Sequence, residues 1–285
     1  MSRSAPVETP VLHFGHSPDP DDAFMFFGLA LGAVTIRDFK VEHVLHDIQT
    51  LNEMAMSGAI EITAISAHAY PSVAERYWIM RCGASMGIGY GPILVARADG
   101  PRSIEELSGA RVAIPGLLTT AYLVARLYLP AFEGVVHRFD DIPRAVAGGE
   151  VDAGLVIHEG QITYRDQGLE KLGDLGATWK DDTGLPLPLG LDVVRKDLGR
   201  ELAGEVSRGL SDSIRYAFEH EDEAVAYALD YGRGLDTERA RTFVKMYVNE
   251  YTRDMGDEGR RALETLFAKA AAAGFTEPVP AIDLV

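Results

Sequence analysis

The sequence predicts an α/β protein with mainly parallel sheets, two lobes and a helical C-terminal region. Short apolar runs alternate with helix-like runs between residues 11 and 157, which is the pattern of repeated strand–helix units. Residues 200–274 are instead almost wholly helix-forming and rich in alanine, glutamate, arginine and leucine. Two similar strand-like segments, residues 91–97 and 189–195, each end in an arginine. We interpret them as two crossings between lobes.

On this interpretation, residues 1–97 and 190–285 form a first, discontinuous lobe, and residues 98–189 form an inserted second lobe. A chain of 285 residues is long enough for two domains of ordinary size. Ligands of open α/β sheets bind beyond the carboxyl ends of the strands. We therefore expect a ligand cleft between the lobes, lined by the turns that follow strands.

The individual elements follow from apolar spacing and from capping residues. After a short irregular lead at residues 1–9, buried apolar runs predict strands at residues 11–15, 41–45, 60–65, 93–96, 112–114 and 153–157. Helical spacing predicts helices at residues 23–31, 48–57, 70–77, 104–107, 121–129, 141–147, 237–249 and 257–273. Asp21 or Asp22 is placed to cap the first helix, and Gly58 to end the second.

Composition excludes several partner classes. The chain has 27 basic and 43 acidic residues, a net charge of −16, which is the wrong sign for binding nucleic acid or an anionic membrane surface. No apolar run reaches the roughly 18–20 residues of a membrane-spanning helix. One cysteine, Cys82, excludes an intramolecular disulfide and a cysteine-ligated zinc site. No secretory signal pattern opens the chain, so we expect a cytoplasmic protein.

The first candidate site segment is residues 17–22 (SPDPDD), which follows the first strand. Ser17 could present its hydroxyl to the cleft from this rigid turn. The alternative is an ordinary proline turn with an aspartate helix cap. Three carboxylates could hold Mg²⁺ or Ca²⁺, which prefer oxygen ligands. Two prolines oppose the convergence of all three on one ion, so we expect no metal.

The second candidate segment is the end of the strand at residues 60–65. Ala64, Ile65 and Ser66 bring small side chains and a hydroxyl to the strand end, where a ligand can approach the backbone. The alternative role of Ser66 is a helix N-cap.

A third segment, residues 116–122 (GLLTTAY), brings Thr119 and Thr120 to a helix that begins at Ala121. Free backbone N–H groups and hydroxyls at a helix start suit a carboxylate or phosphate. Capping alone would also explain the threonines. The chain has neither a phosphate-binding Gly-Lys-Ser/Thr loop nor a glycine fingerprint after a strand, so we expect no nucleotide cofactor.

His158 follows the strand at residues 153–157 and is the candidate general base. A histidine at the carboxyl end of a strand can face the cleft, and the reference pKa of its imidazole lies near physiological pH. The alternative is a structural histidine bonded to a neighbouring loop. No partner for a nucleophile and no paired-histidine metal motif is evident, which disfavours triad and zinc chemistry.

These segments, taken in order, resemble the 1,4-dihydroxy-6-naphthoate synthase family of the futalosine route to menaquinone. The resemblance covers nearly the whole chain and is most specific around His158. The segments that carry it are Ser17-Pro18, residues 47–52 (DIQTLN), Gly91-Pro92, residues 119–122 (TTAY), residues 151–159 (VDAGLVIHE), Thr163-Tyr164, Gly168-Leu169, residues 174–176 (DLG) and residues 183–190 (TGLPLPLG).

The resemblance implies a two-lobed fold like that of type II periplasmic binding proteins, kept in the cytoplasm and used as an enzyme. It implies the substrate cyclic dehypoxanthinyl futalosine, the products 1,4-dihydroxy-6-naphthoate and dihydroxyacetone, and no cofactor. A neutral histidine is the implied base. The family's base maps onto His158, and its substrate contacts map onto Ala64, Ile65, Ser66, Thr119, Thr120 and Ala121.

Two alternatives and three departures from the family pattern accompany this interpretation. The alternatives are a small-carboxylate binding protein and a diverged lyase resembling chorismate dehydratase.

The departures from the family pattern are Asp19 in place of a cysteine, Ala64 in place of a common lysine, and Leu117-Leu118 in place of a more polar pair. The expected partner is a small carboxylated molecule. The sequence leaves monomer and homodimer equally open.

Overall fold

The chain forms two β-sheets with helices packed against them, and residues from both sheets line one cleft. The computed structural model describes residues 10–232, 234–279 and 281–285. The predicted irregular lead at residues 1–9 lies outside these ranges. None of the helices within them is both long and apolar enough to cross a membrane.

The strands are numbered in chain order. Their bounds are β1 (Val11–His16), β2 (Lys40–Leu45), β3 (Ile62–Ser66), β4 (Tyr77–Ile79), β5 (Ser85–Gly87), β6 (Ile93–Arg97), β7 (Arg111–Ile114), β8 (Glu133–Val136), β9 (Ala153–Val156), β10 (Leu169–Asp174) and β11 (Leu187–Arg195). The first sheet has the order β2-β1-β3-β11-β4, with β5 paired to β11. The second has the order β10-β6-β9-β7-β8.

The helices pack on these sheets and dominate the C-terminal region, as the sequence predicts. Their bounds are α1 (Pro20–Ala30), α2 (Ile48–Ser57), α3 (Tyr70–Val73), α4 (Thr120–Tyr128), α5 (Ile142–Ala147), α6 (Gly160–Thr163), α7 (Leu175–Thr183), α8 (Arg200–Glu219), α9 (Glu221–Leu229), α10 (Thr237–Tyr247), α11 (Glu250–Arg253) and α12 (Gly256–Ala272). Side-chain caps start several of them. Asp19 accepts from the Asp22 N–H at α1, and Asp47 accepts from the N–H groups of Gln49 and Thr50 at α2.

The β-α-β start of the chain fixes the position of the turn at residues 17–22. Strand β1 is parallel to β2 and β3, so these three strands end at the same edge of the sheet. Helix α1 is apolar on all sides and buried against α8, α9 and α10, where Phe24, Phe26 and Phe27 are almost wholly covered. The turn between β1 and α1 is therefore held at the cleft by a rigid core.

One predicted helix differs from the structure, and several elements were not predicted, among them β5, α6, α7, β8 and β10. The predicted helix at residues 70–77 ends at Val73, and Tyr77 starts β4, where buried Tyr77 and Ile79 flank the less buried Trp78 in the period-two pattern of a strand. Strands β8 and β10 escaped prediction because glycine and charged residues interrupt their apolar runs.

The sheet membership of β6 also differs from expectation. We assigned residues 93–97 to the first lobe, whereas β6 lies within the second sheet, antiparallel to β9 and β10. An apolar strand has the same sequence pattern whichever sheet it joins, so the pattern could not decide this. With β6 assigned to the second sheet, the division of the chain into two lobes remains a proposal.

Candidate active site

The cleft between the two sheets brings all the sequence-predicted site residues together. Its empty volume is about 730 Å³, including its open mouth. The predicted residues that line it are Ser17, Ala64, Ile65, Ser66, Thr119, Thr120, Ala121 and His158. They come from strand ends and helix starts on both sides, which is the placement expected for a ligand site in open α/β sheets.

His158 sits in a constrained backbone position just after β9. Its φ angle is 52°, in the left-handed region that few non-glycine residues adopt. Such conformations cluster at functional sites because the surrounding structure must hold them. The imidazole packs against the Phe139 ring, with 4.7 Å between the ring centroids. Nε2 of His158 is buried and has no hydrogen-bond partner among the described residues.

Asp19 is the direct partner of His158, and it comes from the other side of the cleft. The Nδ1 atom of His158 lies 3.0 Å from Oδ2 of Asp19, whose side chain is only 1% exposed. This arrangement fixes the imidazole through Nδ1 and leaves Nε2 for a ligand. An orienting carboxylate behind a histidine is the arrangement found in many histidine general bases.

The Asp19–His158 pair sets the charges of both groups. Burial lowers the pKa of His158, but the Asp19 carboxylate outweighs it and raises that pKa to about 9. Burial likewise raises the pKa of Asp19, and His158 outweighs it and lowers that pKa to about 2. We expected a neutral imidazole. At neutral pH, His158 is instead mainly an imidazolium paired with a carboxylate.

Asp21 extends this pair and completes a possible cation site. Burial and then the charges of Asp19 and Asp22 raise the pKa of Asp21 well above its usual value, so Asp21 is a neutral acid that hydrogen-bonds to Asp19. Ligand atoms of Asp19, Asp21 and His158 lie within 4.8 Å of one another, close enough for one divalent ion. A cation there would have to displace the proton of Asp21 and break the bond between His158 and Asp19.

Asp22 ties the turn at residues 17–22 together. Its Oδ2 accepts a hydrogen bond of 2.6 Å from the Ser17 N–H, and both residues are buried. Ser17 and the aspartates therefore form one rigid wall of the cleft. The predicted cap at Asp21 or Asp22 is wrong, because Asp19 caps α1 and the other two aspartates lie in its first turn.

Ser66 is oriented by Asn52 of α2, a residue we did not predict. The Asn52 side chain accepts from the Ser66 N–H at 2.8 Å and donates to Ser66 Oγ at 3.1 Å. The Ser66 hydroxyl proton is left for a ligand. Asn52 is fully buried, so this arrangement is rigid.

The two threonines present backbone rather than hydroxyl donors. Thr119 Oγ1 donates to the Gly116 carbonyl at 2.7 Å, and Thr120 Oγ1 donates to the Leu189 carbonyl at 2.7 Å. Both hydroxyl protons are therefore already committed. The N–H groups of Thr120 and Ala121 open α4 and have no acceptor within the helix, so they are the groups that can hold an anion.

Contacts across the cleft hold the two sides close together. The Leu118 N–H donates to Gln49 Oε1 at 3.0 Å, and Arg239 of α10 pairs with Asp166 at 2.7 Å. Neither contact was predicted, because each joins residues distant in the sequence. Together with the bond between Asp19 and His158, they join the two sides of the cleft.

Asp192 of β11 also lines the cleft and was missed by the sequence analysis. The sequence contains a feature that could have indicated this residue, because a single aspartate interrupts the apolar run of residues 189–194 (LGLDVV). Charged residues are rarely fully buried unless paired. No lysine or arginine occurs among the described residues that line the cleft. An anionic ligand would therefore depend on N–H and hydroxyl donors.

A family model described as menaquinone biosynthesis matches residues 12–272. The chain belongs to this menaquinone-biosynthesis family. Two relatives cover nearly the whole chain, and both are named 1,4-dihydroxy-6-naphthoate synthase. The one from Thermus thermophilus is 43% identical over 94% of this chain and 97% of its own length. The one from Streptomyces coelicolor is 36% identical over 95% of each chain.

Solved structures agree with the family and with the predicted fold class. A crystal structure of a protein from Archaeoglobus fulgidus is 47% identical, with a TM-score of 0.88 over 94% of this chain and 99% of that one. A Candida albicans protein, described as having the generic periplasmic binding protein fold, is 14% identical, with a TM-score of 0.68 over 97% of this chain and 98% of that one. The predicted periplasmic-binding-protein-like α/β fold is thus confirmed, as is the resemblance to the family.

Proposed function

We propose that this member of the menaquinone-biosynthesis family is a carbon–carbon lyase. It converts cyclic dehypoxanthinyl futalosine to 1,4-dihydroxy-6-naphthoate and dihydroxyacetone, with His158 as the general base. The observation that carries the proposal is the partly buried His158, which is oriented through Nδ1 by Asp19 and whose Nε2 has no hydrogen-bond partner among the described residues. The names of the two relatives support the choice of substrate.

The substrate carboxylate binds where the cleft offers uncommitted donors. These are the N–H groups of Thr120 and Ala121 at the start of α4 and the hydroxyl of Ser66. The positive end of the α4 dipole adds to them. This places the sugar-derived part of the substrate toward the aspartates and His158.

The reaction is a retro-aldol-type cleavage that needs neither an oxidant nor water. Nε2 of neutral His158 removes the proton of a substrate hydroxyl, and the electron pair left on that oxygen forms a carbonyl. The adjacent carbon–carbon bond breaks, and its electron pair passes to the ring-side fragment as an enolate. The imidazolium returns the proton to that fragment, which becomes aromatic. The cleft holds the substrate in position and excludes water.

The raised pKa of His158 has a consequence for this mechanism. With a pKa of about 9, only about one histidine in a hundred is neutral at pH 7. The neutral form is correspondingly a stronger base, and the Asp19 carboxylate stabilises the imidazolium that forms. The rate therefore rises with pH over the neutral range.

Turnover of cyclic dehypoxanthinyl futalosine, read by mass spectrometry, tests the proposal. We expect product from the wild type and a loss of about 10²–10⁴-fold in kcat for His158→Gln. His46→Gln is the matched control, because His46 is exposed and lies outside the cleft. A loss under about tenfold for His158→Gln would exclude the base role. Tight binding without turnover by the wild type would favour a binding protein or a diverged lyase.

A further inference from the structure

Asp192 has the features of a ligand-binding group that the proposed reaction has not yet used. Its side chain is 1% exposed, and neither carboxylate oxygen has a hydrogen-bond partner among the described residues. A buried polar group left unpaired destabilises the fold. Such a group in a cleft indicates a partner supplied by the ligand.

The strand register aims Asp192 at the cleft. Asp192 lies directly across from Ala64 in the antiparallel pair of β11 and β3, and Gly190 lies across from Ser66. Residues two apart on a strand share a face, so Asp192 lies on the same face as Ser66. Gly83 packs directly against the carboxyl group, since a Cβ at Gly83 would clash with Oδ2 of Asp192.

Among the residues that the structure describes, the neighbours of Asp192 supply no positive charge. The titratable groups that face it are Asp22 on α1 and Cys82 after β4, while β3 presents Ala64 and β4 pairs through Ile79. Burial raises the pKa of Asp192 to about 8. Burial, followed by the charges of Asp19 and Asp192, raises that of Asp22. Burial also raises the pKa of the Cys82 thiol to about 12. At neutral pH the Cys82 thiol is therefore uncharged and Asp192 is mainly a neutral acid.

We propose that Asp192 binds the substrate as a carboxylic acid, donating its proton in a hydrogen bond to the oxygen that gains negative charge when the carbon–carbon bond breaks. A neutral carboxylic acid is an O–H donor, and a donor aimed at a developing oxyanion in a dry site contributes strongly to catalysis. This inference rests on the proposed lyase reaction. It assigns separate roles to two groups of the cleft, a base at His158 and an oxyanion donor at Asp192.

The pH dependence of kcat/KM between pH 6 and pH 10 tests the proposal. The wild type requires neutral His158 and protonated Asp192. We therefore expect a bell-shaped dependence of kcat/KM on pH, with its maximum between pH 8 and pH 9. Asp192→Asn keeps a donor that does not titrate. In this variant kcat/KM should no longer decrease at high pH and should reach a plateau above about pH 9. Its kcat should stay within about tenfold of the wild-type value.

Asp192→Ala removes the donor and should lower kcat by about 10²-fold with little change in KM. If both variants keep the wild-type kcat and its fall at high pH, Asp192 is not the donor. If the alanine variant does not fold, the pH dependence of the near-isosteric asparagine variant is sufficient to test the proposal.

A second readout separates this inference from the proposed reaction. Binding of 1,4-dihydroxy-6-naphthoate is measured by calorimetry over the same pH range. Binding that weakens above about pH 8 for the wild type but not for Asp192→Asn supports the donor role even if no turnover is found. Absence of turnover by the wild type contradicts the lyase reaction. Identical pH dependence of binding for both proteins contradicts the role of Asp192.

Discussion

Two histidines at the ends of β1 and β9, one buried and the other partly buried, have opposite charge states. His16 is 3% exposed, stacks on the Phe26 ring at 4.3 Å, and accepts at Nε2 from Nδ1 of His43 at 2.9 Å. Burial and then His43 lower the pKa of His16 to about 4. His158 is partly buried, yet its pKa is raised to about 9.

The difference shows that the partner, and not burial, decides the charge of a histidine in this fold. Burial lowers the pKa of both imidazoles because it disfavours the charged form. A second imidazole adds to that effect at His16, whereas the Asp19 carboxylate reverses it at His158. One histidine is therefore a neutral structural group, and the other is poised for proton transfer.

The largest expected effect comes from removing the carboxylate partner with Asp19→Asn. Burial then acts on His158 without an opposing charge, so its pKa falls below about 6.5. The maximum of kcat/KM should move from between pH 8 and pH 9 to between about pH 6.5 and pH 8. Its height should fall by about 10²–10⁴-fold, since the imidazolium formed in the reaction loses its stabilising charge.

Asp21→Asn is the matched control for that variant. Asp21 is already a neutral acid, so an amide in its place leaves the charge beside His158 almost unchanged. The maximum should stay between pH 8 and pH 9. An Asp19→Asn profile that overlays the wild-type profile would show that Asp19 does not set the charge of His158.

A smaller effect is expected from giving His16 a carboxylate partner with His43→Glu. The new charge beside Nε2 of His16 should raise the pKa of His16 by one unit or more from about 4, as measured by NMR titration. Neither histidine lines the cleft, so turnover should change little. His43→Gln is the control and should leave His16 uncharged above pH 5. A His16 pKa that stays near 4 in both variants would mean that burial alone controls it.

Much of the fold and cleft followed from the sequence because the signals were local. Strand ends, caps and helix starts lie in short continuous segments, and these segments placed Ser66, Thr119, Thr120 and His158 correctly in one cleft. The family resemblance added the expected function of each. Only local patterns of this kind can be detected without knowing which segments meet.

The remaining features depend on contacts between distant segments. Asp19 and His158 are 139 positions apart and come from opposite sides of the cleft, so no spacing in the sequence predicts their bond. The same is true of Asn52 with Ser66 across two elements. The charge of His158 followed from neither composition nor motif, because it is set by this one partner.

NMR titration of the histidine side chains tests the central claim most directly. Signals are assigned by comparing the wild type with His158→Gln and His16→Gln. We predict a pKa of about 9 for His158 and about 4 for His16 in the same protein. A His158 signal that titrates at or below pH 6.5 would contradict the claim that Asp19 holds the candidate base as an ion pair.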